Sequence, residues 1–278
     1  GRAGSMAVTR WGPVAPAPIV LLHGWMDCGA AWQLLVDCLP DEWPLLAVDW
    51  PGYGRSARRV DHYWFPEHFA ELDWLLDEIS PHAPVRLIGH SMGGTVASMY
   101  AGIRPGRVAW LVNMEGFGMP ALPPEQLPGL VAGWLDSLRA LPAARRYADL
   151  EELTAALMRA HARLPVAHAR FLARAWTRPV AGGFEMLADP HQQLRTPIRY
   201  ARADVEACWA GAVAPQLLLC GAESAHAGNV LGADGLARLR QLMPKLSIES
   251  IAEAGHLLLH EQPQRVAGVI TRFVAAQA

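Results

Sequence analysis

Ser91 lies in the run Gly89-His90-Ser91-Met92-Gly93, with a further glycine at 94. A serine between two closely spaced glycines suits nucleophilic chemistry at a hydroxyl, because a residue without a Cβ lets neighbouring backbone approach it closely. The residues before it, 85–88, form a short apolar strand, and those after it, 95–100, are compatible with a helix. Strand, tight turn and helix in that order hold a serine at a strained corner with its hydroxyl beyond the end of a sheet. The amides at the start of the helix then favour negative charge nearby. The pentapeptide alone would arise by chance in about one chain in ten of this size, so the rest of the chain decides its meaning. A working nucleophile needs a base, an acid, donors for an oxyanion and a pocket.

The elements that must position these groups alternate. Apolar runs at 7–11, 19–22, 43–48, 85–88 and 108–114 read as strands, and 30–39 and 66–79 read as amphipathic helices. Strand and helix alternation resumes with strands at 216–220 and 246–251 and helices at 235–243 and 262–274. This pattern predicts an α/β protein with a mostly parallel, doubly wound sheet. Between them, prolines cluster at 120, 123, 124 and 128, and segments rich in Ala, Leu and Arg follow at 127–141, 150–164 and 166–176. No strand is expected there before about residue 215. The division expected is a core domain from 6–118 and 211–278, with 119–210 inserted as a helical cap or lid. Gly1 to Ser5, ahead of Met6, reads as an expression scar.

The chain has 278 residues, 52% of them apolar, enough to bury a large core. Its net charge of −2 gives no basic field, so nucleic acid is not an expected partner. No apolar run reaches the roughly 18 residues that a membrane span needs, and the N-terminus lacks an apolar signal core. Four cysteines without close spacing fit a reduced, cytoplasmic protein. No dinucleotide, phosphate-loop or metal-ligand motif is present, so neither a cofactor nor a metal is expected. Oligomeric state is left open.

Four motifs, His23-Gly24-Trp25, Asp49-Trp50-Pro51-Gly52-Tyr53-Gly54-Arg55-Ser56, Gly89 to Gly94 and Gly255-His256, occur in an order that resembles the α/β-hydrolase fold. The resemblance spans about residues 7 to 275. It implies that His256, in a late loop, is the base for Ser91 and that His23 and the Asp49 to Ser56 stretch are structural. The acid is open between two places. The position that most often carries it, three residues after the glycine ending the 216–220 strand, is Ser224 here, with Glu223 one residue early. The other place used in the family is the end of the strand after the elbow helix, where Glu115 stands. Glu115 is the preferred acid and Glu223 the alternative. The oxyanion donors implied are the backbone N–H groups of Trp25 and Met92. Met26, Phe117 and Met119 lie beside these loops as expected pocket walls.

A serine nucleophile supports acyl transfer on a small ester-like molecule. The reading is a serine hydrolase cleaving carboxylic esters of small to medium apolar substrates through an acyl-enzyme. The resemblance also admits carbon–carbon bond hydrolases and cofactor-free oxygenases or haloperoxidases. A different class, a non-catalytic ligand-binding or signalling protein, stays open because the acid is unusually placed.

Overall fold

A computed structural model describes residues 6–59, 62–194 and 196–277; Gly1 to Ser5, read above as an expression scar, lie outside them. The central sheet has seven strands: β1 (Val8–Trp11), β2 (Ile19–Leu22), β3 (Leu45–Val48), β4 (Val85–His90), β5 (Val108–Met114), β9 (Gln216–Gly221) and β10 (Leu246–Ile251). Three short strands fall between β5 and β9: β6 (Arg146–Tyr147), β7 (Thr177–Val180) and β8 (Gly183–Met186). The sheet order is β1-β3-β2-β4-β5-β9-β10. Only β1 runs antiparallel to its neighbour.

The inner strands β2, β3, β5 and β9 are almost wholly buried because both faces are covered, whereas the edge strands β1 and β10 expose alternate residues. Within β2, Ile19 and Leu21 pack on one face, against residues that include Val266 and Ile270 of the closing helix (Pro263–Ala275). Val20 and Leu22 pack on the other, with Leu72 and Leu76 of helix Glu67–Ile79 and with Val96 and Tyr100 of helix Met92–Ile103. The one-residue alternation of a strand thus divides a single apolar run between two cores.

Strand β2 sits between β3 and β4, so the chain leaves it on one side and returns on the other. Crevices in open α/β sheets form at such a reversal, beyond the carboxyl ends of the strands. The loop at 23–27 follows β2 there, and Ser91 follows β4 there.

The segment joining β5 to β9 departs from an all-helical reading. It holds helices Leu127–Arg139, Leu150–Ala160, Val166–Ala175 and Arg202–Gly211, and also an antiparallel sheet in the order β6-β8-β7. The β7–β8 hairpin turns through Gly182 and Gly183, both at positive φ (81° and 144°), a conformation that favours glycine. Glu185 of β8 pairs across the strands with Arg146 (3.0 Å) and Arg178 (2.7 Å). These strands are two to four residues long and carry charge, so they lack the apolar signature by which longer strands are recognised. A short helix, His226–Leu231, also escaped the sequence reading.

Candidate active site

Ser91 adopts φ 51° and ψ −113°, a strained backbone for a residue with a side chain. Its N–H donates to Met114 O at 2.8 Å, which ties the turn to the neighbouring strand. A Cβ on Gly89 would come within 2.6 Å of Gly93 O, and one on Gly93 within 2.1 Å of Leu22 O. The turn therefore closes only with glycine at both places.

His256 lies in the loop between β10 and the closing helix. Its Nε2 is 3.0 Å from Ser91 Oγ, and its Nδ1 is 2.9 Å from Glu115 Oε2. With Nδ1–H donating to the carboxylate, Nε2 is left to accept the serine proton. Ser91 and His256 are half-buried, whereas Glu115 is fully buried at 0% exposure. The carboxylate is satisfied by three donors: His256 Nδ1–H and Ser224 Oγ–H (2.7 Å) on Oε2, and Gly221 N–H (2.9 Å) on Oε1. Such donors offset the cost of burying a charge.

Glu115 has a left-handed φ of 57°. Asn113 supports this corner by accepting from Gly116 N and donating to Gly116 O, each at 2.8 Å. Glu115 N–H also donates to Leu219 O of β9 at 3.0 Å. Glu223, the alternative acid, points elsewhere. It is exposed and pairs with Arg163 at 2.6 and 2.8 Å.

The loop after β2 presses on the elbow, since a Cβ at Gly24 would stand 3.2 Å from Ser91 Cβ. Met92 is the first residue of its helix, where N–H groups lack an intrahelical acceptor. The Trp25 indole is 55% exposed and donates to Gln192 O at 3.0 Å. Met26 is half-buried beside both the core and the Leu153–Leu172 cluster. Phe117 is buried with Met99, Val205 and Trp209, and Met119 is half exposed.

His23 and Asp49 brace the site from below. His23 Nε2 accepts from Trp50 N at 3.1 Å. The Asp49 carboxylate accepts from Gly29 N (2.6 Å) and Arg55 N (2.9 Å).

Several other imidazoles gather here. His90 Nε2–H donates to His256 O at 2.8 Å, holding the histidine loop. Burial, and then the nearby His256, push the His90 ring down to about 3, so it stays neutral. The His226 ring stands 4.5 Å from that of His256, edge to face, and 5.6 Å from Phe117. His226 and His161 are both lowered, first by burial and then by His256. Their signal in the sequence was nil, because neither lies in a motif.

Beneath the loop, burial alone would raise the Asp27 carboxyl. The His260 ring at 3.5 Å and the Cys28 amide outweigh that and hold it below the usual carboxylate range. Asp27 also accepts from Trp176 Nε1 at 2.6 Å, and His168 Nδ1–H donates to His260 O at 2.7 Å. No helix among the described residues is long and apolar enough to cross a membrane.

Comparison with known proteins addresses the fold. The family model described as alpha/beta hydrolase fold matches residues 17–263. A serine hydrolase-like protein of Danio rerio is 36% identical over 110 residues, which cover 39% of this chain and 33% of that protein. The esterase Rv0045c of Mycobacterium tuberculosis is 37% identical over 115 residues, covering 41% of this chain and 37% of its own. The matched stretch therefore spans only about a third of the length of these curated relatives. A hypothetical protein of Pseudomonas aeruginosa, PA1622, has a crystal structure that superposes with a TM-score of 0.86 at 24% identity, covering 99% of this chain and 95% of that one. With its motifs, sheet order and matched residues in agreement, the chain belongs to the α/β-hydrolase fold family.

Proposed function

We propose that this protein is a serine hydrolase that cleaves carboxylic esters of small to medium apolar substrates. One observation carries the reading: Ser91, His256 and the fully buried Glu115 form a continuous relay of 3.0 and 2.9 Å contacts. The partial similarity to a serine hydrolase-like protein and to an esterase supports the same class.

In this reading Ser91 Oγ attacks the ester carbonyl while His256 Nε2 takes its proton. The N–H groups of Met92 and Trp25 receive the developing oxyanion. Glu115 keeps the imidazole in the right tautomer and stabilises the imidazolium. His256 then returns the proton to the departing alcohol, leaving an acyl group on Ser91. A water activated by the same histidine releases the acid. Residues 6–118 and 211–278 serve as the core domain, and 119–210 as a lid over the site. Contacts that join that segment to the core are Trp176 on Asp27, His168 on His260, Arg163 on Glu223 and Gln192 on Trp25. Met26, Phe117 and Met119 belong to the substrate-side walls in this reading.

The test is turnover of p-nitrophenyl esters of graded acyl length by the unmodified protein and by Ser91→Ala. Hydrolysis that falls by three or more orders of magnitude in the variant, about the size seen when a triad member is removed, supports the reading. Equal turnover by both proteins sinks it. Labelling of Ser91 by a fluorophosphonate, without ester turnover, points instead to another reaction at the same nucleophile.

A further inference from the structure

Ser224 occupies the turn after β9, and its hydroxyl makes two hydrogen bonds. Its Oγ accepts from His226 N–H at 3.2 Å and donates its one proton to Glu115 Oε2 at 2.7 Å. That is the same carboxylate oxygen that faces His256 Nδ1 at 2.9 Å. The other oxygen, Oε1, is held by Gly221 N–H. Glu115 reaches this place from a left-handed corner on a different strand, so two anchors from the β9 end define the plane of its carboxylate. Without the hydroxyl, the group keeps only Gly221 N–H as an anchor apart from His256 itself, and can rotate about it.

We propose that Ser224 is a positioning residue for hydrolysis: its hydroxyl fixes Glu115 Oε2 opposite His256 Nδ1 and thereby sets the orientation of the base. This rests on the reading of Ser91, His256 and Glu115 as the hydrolytic relay. The role is orientation and charge stabilisation through Glu115, with no contact to substrate.

Two nearly isosteric variants separate the hydroxyl from the volume. Ser224→Val removes the donor and Ser224→Thr keeps it. Ser224→Ala deletes the donor without branching, so the comparison survives if valine does not fold. Loss of the donor should lower kcat on a p-nitrophenyl ester by about tenfold, the order expected for one hydrogen bond to a charged group. KM should be unchanged. Ser224→Thr should restore kcat.

A readout independent of turnover is the downfield proton resonance of the His256 Nδ1–H in the whole protein. It should broaden and move upfield in Ser224→Val and Ser224→Ala and stay in place in Ser224→Thr. An unmodified protein that hydrolyses no ester, with the resonance still responding this way, defeats the ester reading and leaves the positioning role standing. If all variants match the unmodified protein, or if valine and threonine are impaired alike, the proposal is overturned.

Discussion

Glu115 Oε2 lies 2.9 Å from His256 Nδ1 although 141 positions separate the two residues in the chain. Their strand ends meet because β9 lies between β5 and β10 in the sheet. Glu115 from the end of β5 reaches across the β9 terminus, accepting Gly221 N–H on the way. A carboxylate at the end of β5 thus pairs with a histidine that follows β10.

The two glutamates should respond oppositely to neutralisation. Glu115→Gln leaves His256 without an anionic partner and favours the wrong tautomer, so kcat should fall by about 10³ to 10⁴. Glu223→Gln breaks an exposed, solvent-screened ion pair with Arg163 and should leave kcat within about threefold. Steady-state kinetics on one ester decides it, and the reverse pattern would remove Glu115 from the relay.

Gly93→Ala should fail structurally before it fails chemically. The added Cβ would stand 2.1 Å from Leu22 O, a backbone atom inside the sheet that cannot step aside. A loss of at least about 3 kcal/mol is expected, in the range of severe core overpacking. Urea unfolding followed by circular dichroism measures it. A stability within 1 kcal/mol of the unmodified protein, on the order of a surface change, would show that the elbow is looser than described.

Stability should also carry the mark of a buried imidazole. His68 is pushed down to about 4, chiefly by burial. Its folded value lies below the unfolded value of about 6.5. The unfolded chain therefore takes up the proton first, and stability falls as pH drops from about 6.5 toward 4. Glu71, raised to about 7 by burial, works in the opposite direction over part of that window. The useful readout is consequently a difference. Relative to the unmodified protein, His68→Gln should gain up to about 1.4 kcal/mol for each pH unit below about 6. Parallel curves of unfolding free energy against pH for the two proteins would rule out the His68 contribution.

Trp176 donates from its indole to the buried carboxylate of Asp27 at 2.6 Å. Trp176→Phe keeps most of the ring and deletes the donor. It should cost about 1.5 to 3 kcal/mol, as for a hydrogen bond to a charged acceptor. Thermal unfolding checks the loss, and an unchanged midpoint would mean that His260 and the Cys28 amide hold Asp27 without help.

The sequence by itself carried the candidate nucleophile and the candidate base, because each sits in a short motif whose geometry is local. Glycines at 89 and 93, a strand before and a helix after are enough to specify the elbow at Ser91. The parallel core strands were legible for a similar reason: a strand covered on both faces reads as an unbroken apolar run. The strands β6 to β8 were not, since pairs such as Arg146 and Arg178 with Glu185 make sense only once the strands lie side by side. The sequence left Glu115 and Glu223 as competing acids. Which of them faces His256 depends on the order of strands in the sheet and on a left-handed corner at Glu115. The placing of Ser224 against Oε2, and of His226 and His161 near His256, depends likewise on contacts between distant segments. Local spacing determines where a turn or helix begins; only the folded sheet determines which groups from separate strand ends share one small volume.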